Sequence, residues 1–190
     1  MINIRYARKG DLEDIKEIAS KTWEGYDYLP RVFHKWIDED NFLVAEDSGK
    51  VIGAAKISLY PQKVAWLEGL RVHPDYYGKG IGKLIYDRTM EILTSLKDKG
   101  IIEYAEFATY YENTASIHMS KKRGFELVKQ YYYFHVEKSD LKDVSPIKPD
   151  KKDIISISLH ELPPDYIPLG WEFFHSSSEA WNKIKDNVTL

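Results

Sequence analysis

The stretch Trp66-Leu-Glu-Gly-Leu-Arg-Val-His-Pro-Asp-Tyr-Tyr-Gly-Lys-Gly-Ile-Gly-Lys83 reads as strand, sharp turn and helix. Trp66–Val72 is rich in apolar and β-favouring residues, and His73-Pro74-Asp75 stops it. Gly78, Gly80 and Gly82 follow at every second position. Apolar residues then recur at Ile81, Leu84, Ile85, Ile92, Leu93 and Leu96, the spacing of one helical face. Glycines ahead of a helix let backbone N–H groups approach an anion with no Cβ in the way. The helix start adds unpaired donors and partial positive charge. The stretch is built to hold a pyrophosphate.

Two familiar phosphate loops do not fit. A P-loop needs Gly-Lys followed by Ser or Thr for a magnesium ion, and Gly82-Lys83 is followed by Leu84. The dinucleotide fingerprint needs Gly-x-Gly-x-x-Gly, and Gly78-x-Gly80-x-Gly82 has a different spacing. The loop resembles instead the acyl-CoA loop of the GNAT superfamily of N-acetyltransferases, Arg/Gln-x-x-Gly-x-Gly/Ala. The preceding Val72-His73-Pro74-Asp75-Tyr76 also fits that family, whereas Tyr77 stands at its usual Arg or Gln. A second point of resemblance is Asn113-x-x-Ser116-x-x-Met119-Ser120 followed by Gly124-Phe125, where the family has Asn-x-x-Ala-x-x-Leu-Tyr and Gly-Phe.

The remaining chain is consistent with this. At 190 residues it can bury one substantial core, and its net charge of −3 is scattered, which argues against nucleic acid as a partner. Cysteine is absent, so disulfides, thiolate zinc sites and cysteine nucleophiles are excluded. No metal is expected. The N-terminus alternates Ile2, Ile4, Tyr6 like a strand, not a secretion signal, and no apolar run reaches membrane-spanning length. A cytoplasmic protein with no membrane partner is expected.

Ile2–Ala7 is predicted as a strand. Asp11 is predicted to cap a helix, with Asp14 three residues on. Pro30 opens a second helix through Ile37. Phe42–Ala45 and Val51–Tyr60 form an antiparallel hairpin around Glu46–Lys50. Glu103–Tyr111 is predicted as a strand, Asn113–Phe125 as a short helix closed by Gly124 and Leu127–Val136 as a further strand. The expected class is α/β (α+β): a GNAT fold with a mixed, mostly antiparallel sheet flanked by helices and a short C-terminal extension. Residues 1–137 form the acetyltransferase domain and 138–153 a linker. Residues 154–190 form an extension packed on the core or on a second subunit, with a strand at Ile154–Leu159 and a helix at Ser176–Ile184. Asp165-Tyr166-Ile167-Pro168 echoes Asp27-Tyr28-Leu29-Pro30.

The resemblance implies acetyl-CoA as co-substrate and direct transfer to an amine in a ternary complex. Backbone groups of Gly78, Lys79, Gly80, Ile81, Gly82 and Lys83 would grip the pyrophosphate. Main-chain groups of Leu70 and Val72 would pair with the pantetheine arm as another strand would, and Arg71, Asn113 and Ser116 are further cofactor-binding candidates. Lys79, Lys83 and Lys122 are candidates for the 3′-phosphate. An aliphatic amine is protonated at neutral pH, so transfer needs a base. Glu68, two residues before Leu70, is that candidate, and a strand N–H near Leu70 would meet the oxyanion.

The family's acidic tyrosine falls on Ser120, whose hydroxyl is too weak an acid. Tyr110, Tyr111, His118 and the Tyr131–Tyr133 run stand in that region, and the choice among them stays open; Tyr110 is carried forward with Glu68 as catalytic. Tyr26, Tyr28 and Trp36 are the candidate acceptor-lining residues. The Gly-Tyr-Asp-Tyr-Leu-Pro segment and the extension resemble the histidine N-acetyltransferase branch, which implies a small amine or amino acid as acceptor. A homodimer is a further expectation. The rival readings are a non-catalytic acyl-CoA-binding or scaffolding domain, or a peptide N-terminal or lysine acetyltransferase.

Overall fold

The chain pairs its first four strands in sequence order. The computed structural model describes residues 1–131, 166–169, 172–177 and 179. Strands β1 (Asn3–Tyr6), β2 (Phe42–Asp47), β3 (Lys50–Tyr60), β4 (Val64–Val72) and β5 (Tyr104–Glu106) form one sheet in the order β1-β2-β3-β4-β5. Neighbours are antiparallel except β4 and β5, which are parallel. The helices are α1 (Leu12–Ser20), α2 (Leu29–Asp38), α3 (Ile81–Asp98) and α4 (Thr114–Lys121). The mixed, mostly antiparallel sheet flanked by helices is the architecture expected.

Each face of the sheet buries its own apolar set. Ile15 and Ile18 of α1 and Leu29, Phe33 and Trp36 of α2 close over Phe42, Val44 and Ala54. On the opposite face Ile81, Ile85, Ile92 and Leu93 of α3 close over Leu43, Ala45, Ile57 and Ala65. Such two-sided burial supplies most of the driving force for this sheet.

The start of α1 differs from expectation. Asp11 stands at the N-cap position without a side-chain capping bond. Its carboxylate instead takes both Nη atoms of Arg5, at 2.8 Å each, and the Arg8 N–H at 2.7 Å. A charged fork outcompetes a neutral N–H for the same oxygens. Asp14 likewise leaves its helix to accept the Val51 N–H at 2.7 Å, pinning α1 to β3.

The strand predicted at Glu103–Tyr111 is only Tyr104–Glu106. Beyond Glu106 the chain leaves the sheet, and Phe107 packs edge-on against Phe125 with ring centroids 5.5 Å apart. Tyr110 and Tyr111 therefore do not alternate across a strand; their rings lie together, 4.7 Å apart. Of the strand predicted at Leu127–Val136, residues 127–131 carry no regular structure and the rest lie outside the described residues. The linker, the strand predicted at Ile154–Leu159 and most of the helix predicted at Ser176–Ile184 also lie outside them.

What is described of the tail is a hairpin, β6 (Tyr166–Leu169) with β7 (Glu172–His175). Asp27–Pro30 leads into α2 whereas Tyr166–Leu169 is a strand, so the sequence echo is not a structural repeat. Phe174 is buried and stacks on Tyr60 at 4.5 Å, and Tyr60 stacks on Trp66 at 5.7 Å. The hairpin thereby lies against the β3–β4 pair.

Candidate active site

The glycine loop joins β4 to α3. Gly78 has φ +72° and Gly80, the residue before α3, has φ +77°, both left-handed conformations that other residues adopt at a cost. A Cβ built on either meets no atom within 4 Å. These glycines thus turn the chain and leave open space above the helix start. The first N–H bonded within the helix is that of Leu84, to Gly80 O at 3.1 Å, so those of Ile81, Gly82 and Lys83 have no helical acceptor.

His73, almost fully buried, anchors the loop: its N–H donates to Ile52 O at 2.8 Å and its Nδ1 accepts the Asp75 N–H at 3.2 Å. Lys79 lies over the Tyr76 ring at 4.7 Å, Lys83 pairs with Asp87 at 2.7 Å, and Lys122 is exposed just past α4. Tyr77 is exposed beside the loop.

Strand β4 is paired on both sides only at its start. β5 matches Val64, Ala65 and Trp66, and from Leu67 to Val72 this edge has no strand partner among the described residues. Val72 stands opposite Gly53 and the next residue, His73, bonds back to Ile52. In an antiparallel ladder that makes Val72 a non-bonded pair member, so its N–H and C=O face the open edge. An extended chain could add there as another strand.

A bulge interrupts β4. Register runs Lys56↔Glu68 and then Ala54↔Arg71, so Gly69 and Leu70 together oppose Ala55. Gly69 has φ +67°, and a Cβ there would lie 2.6 Å from Trp36 Cη2. The extra residue reverses the alternation of faces. Leu67 faces α3, and so do Leu70 and Val72 beyond the bulge. Glu68 and Arg71, three residues apart, therefore share the other face.

Glu68 is half-buried on that face and accepts from Ser58 Oγ at 2.6 Å through Oε1. Burial pushes its carboxyl up to about 6, helped by the nearby negative charge of Glu172 and opposed by the Ser58 bond and by Lys56 and Lys35. Lys56, fully buried across the ladder from Glu68, donates to the Asp40 and Ile57 carbonyls, and burial lowers its pKa. Glu172 arrives on β7 and accepts from the Tyr60 hydroxyl at 2.6 Å. Burial and that acceptor hold the Tyr60 phenol far above its ordinary range. On the adjoining edge His175 Nε2 meets Glu106 Oε1 at 2.9 Å.

The segment between α1 and α2 closes over the same face. Arg71 donates from Nε to Asp27 Oδ2 at 2.6 Å and from Nη1 to Leu70 O at 3.0 Å, so its side chain turns away from the glycine loop. The guanidinium lies 5.6 Å from the Tyr28 ring centroid and 5.8 Å from that of Trp23. Tyr28 is raised to about 12 by burial and by the charge of Glu68, against the opposing charge of Arg71, and so stays a neutral phenol. Tyr26 is exposed on the loop. Trp36 belongs to the core, edge-on to Phe42 at 5.2 Å and beneath Gly69.

The α4 residues serve the helix first. Asn113 caps it, accepting the Ser116 N–H at 3.2 Å, and Tyr110 is exposed in the preceding turn. Ser120 is buried and accepts from the Tyr86 hydroxyl at 3.2 Å. A phenol from α3 thus meets the side chain at the family's tyrosine position. Sequence reading missed Tyr86, Ser58, Asp27 and Glu172. Only Tyr86 carried a local signal, a tyrosine beside Ile85 on the buried face of α3. Among the described residues no group of three or more His, Asp or Glu side chains could hold a metal ion, and no helix is long and apolar enough to cross a membrane.

Sheet order, half-paired β4 and glycine-lined helix start together have the form of an acetyltransferase domain. A profile of the acetyltransferase (GNAT) family matches residues 12–125, more than half of the chain, and the chain belongs to that family. It is 30% identical over 139 residues to an uncharacterized N-acetyltransferase of Methanocaldococcus jannaschii, a match covering 65% of this chain and 60% of that protein. It is 35% identical over 82 residues to histidine N-acetyltransferase of Xenopus tropicalis, covering 42% of this chain and 25% of that protein. The chain therefore spans only part of the length of these relatives. Among solved structures, the aminoglycoside N-acetyltransferase AAC(6')-Iy in complex with CoA superposes with a TM-score of 0.56 at 23% identity, over 72% of this chain and 95% of that one. That is a likeness of fold.

Proposed function

We propose that this chain transfers an acetyl group from acetyl-CoA to the amine of a small molecule or amino acid, directly and in a ternary complex. The observation that carries the reading is Glu68: a carboxylate raised to about 6, half-buried where β4 loses its partner. A base of that strength is ionised at neutral pH and can take the proton that the acceptor nitrogen must lose to attack the thioester. Oε1 is engaged by Ser58, which leaves Oε2 for the amine.

The chain's fit to the co-substrate supports the same reading. Gly78 and Gly80 leave open space before α3, and the free N–H groups of Ile81, Gly82 and Lys83 suit a pyrophosphate. The outward main-chain groups of Val72 suit an amide-bearing arm laid along β4. Bound acetyl-CoA supplies an activated thioester carbonyl. The protein's part is to hold it, to deprotonate the amine at Glu68 and to keep bulk water off that carboxylate with Tyr28 and the β6–β7 hairpin. Asn113 and Ser116, joined in the α4 cap, remain cofactor-binding candidates, and Lys79, Lys83 and Lys122 remain candidates for the 3′-phosphate. Tyr110 remains a candidate acid, and the buried Tyr86, which donates to Ser120 at the family's tyrosine position, is a second.

Release of CoA thiol across amino acids, polyamines, aminoglycosides and N-terminal peptides tests the activity. Glu68→Gln should lower kcat about 10²–10⁴-fold and leave acetyl-CoA affinity unchanged. Unchanged turnover in that variant removes Glu68 from the mechanism. Binding of acetyl-CoA without turnover of any acceptor favours the scaffolding reading.

A further inference from the structure

Arg71 has more hydrogen-bonding capacity than the protein uses. Nε is committed to Asp27 at 2.6 Å and Nη1 to Leu70 O at 3.0 Å; among the described residues, Nη2 has no acceptor. The Asp27 side chain is fully buried and its other oxygen accepts the Leu29 N–H at 3.1 Å, so the carboxylate holding the guanidinium cannot swing. Arg71 itself keeps 16% of its side chain exposed. A planar fork locked on one edge, flanked by the Tyr28 and Trp23 rings and open at the other edge, is suited to a second carboxylate.

The bulge at Gly69 sets this open edge on the same face as Glu68. One face thus offers a base for an amine and, a short step along the strand, a cation for an anion. The small molecule that carries both groups on one carbon is an α-amino acid. A plain amine or polyamine would leave the fork unused.

We propose that the acceptor is an α-amino acid whose free carboxylate is taken by the Nη2 edge of Arg71 while its amine is presented to Glu68. This rests on the acetyl-transfer reading above and adds the substrate class and the residue that selects it. Arg71 binds and orients; it makes no bond in the reaction.

The test uses the full chain with acetyl-CoA and pairs each common α-amino acid with its decarboxylated amine and its methyl ester. At least one amino acid should give CoA release with a KM about tenfold or more below that of its decarboxylated partner, at similar kcat. Arg71→Lys keeps a charge beside Asp27 but loses the fork. It should raise KM for the amino acid about tenfold and leave its kcat, the KM for the amine and acetyl-CoA affinity in place. A purely structural role for Arg71 would disturb acid and amine alike. Equal use of acceptors with and without the carboxylate overturns the assignment and leaves acetyl transfer standing. Silence across all pairs overturns both. The comparison on the unmodified protein decides the question even if Arg71→Lys fails to fold.

Discussion

Replacing Gly69 by alanine tests the feature on which the geometry of the site depends. The backbone there has φ +67°, and an added Cβ would lie 2.6 Å from Trp36 Cη2 and 2.7 Å from Trp36 Cζ3. Holding alanine in a left-handed conformation costs about 1–2 kcal/mol. The collision adds about 1–3 kcal/mol, because Trp36 is wedged against Phe42 and Tyr28, with centroids 5.2 Å and 5.9 Å away, and cannot retreat freely. A loss of about 3 kcal/mol is expected, or roughly 6–12 °C in Tm for a chain of this length. Gly80→Ala is the internal control: φ is +77° there too, but no atom lies within 4 Å, so only the conformational part applies. Chemical denaturation of both variants beside the parent measures the difference directly. If Gly69→Ala loses no more than Gly80→Ala, the contact between bulge and ring is refuted. If Gly69→Ala is as stable as the parent, the left-handed bulge itself is refuted, and with it the common face of Glu68 and Arg71.

Activity should rise with pH through about 6, since Glu68 must lose its proton before it can accept one. Glu172→Gln keeps an acceptor for Tyr60 but removes a negative charge that raises Glu68, so the acid limb of the pH–rate profile should move to lower pH; an unmoved limb contradicts that coupling. Folding stability should fall as pH rises from the unfolded carboxylate's ordinary range through about 6, because the raised pKa makes the native state hold its proton longer. Glu68→Gln should flatten that stretch of a stability–pH curve. At Gly80 a Cβ meets no atom within 4 Å, so Gly80→Glu adds only the left-handed backbone cost while putting a carboxylate at the helix start, and acetyl-CoA binding measured by calorimetry should be lost while the fold persists. Unimpaired binding would sink the loop assignment.

Much of the architecture was legible because its causes are local. Alternation in β1, the β-favouring runs of β2 to β4, the turn at Ser48-Gly49 and the spacing of Ile81, Ile85 and Ile92 each depend on near neighbours in the chain. Asp11 was misread because the competing donor, Arg5, comes from a separate strand. The strand at Glu103–Tyr111 was overextended because apolar composition cannot reveal where β4 stops offering a partner. The pairing of Arg71 with Asp27 was not legible because the two residues come from separate segments of the chain.

By itself, the sequence determined the glycine loop ahead of α3 and the strand before it. Those follow from backbone freedom, local periodicity and residue chemistry. Tertiary structure alone decided that Gly69 inserts a bulge under Trp36, that Glu68 and Arg71 then share a face, and that Glu172 and Asp27 come to stand beside them. The reason is that register, desolvation and charge pairing are set by contacts between segments far apart in the chain, and a residue's neighbours in sequence do not specify them.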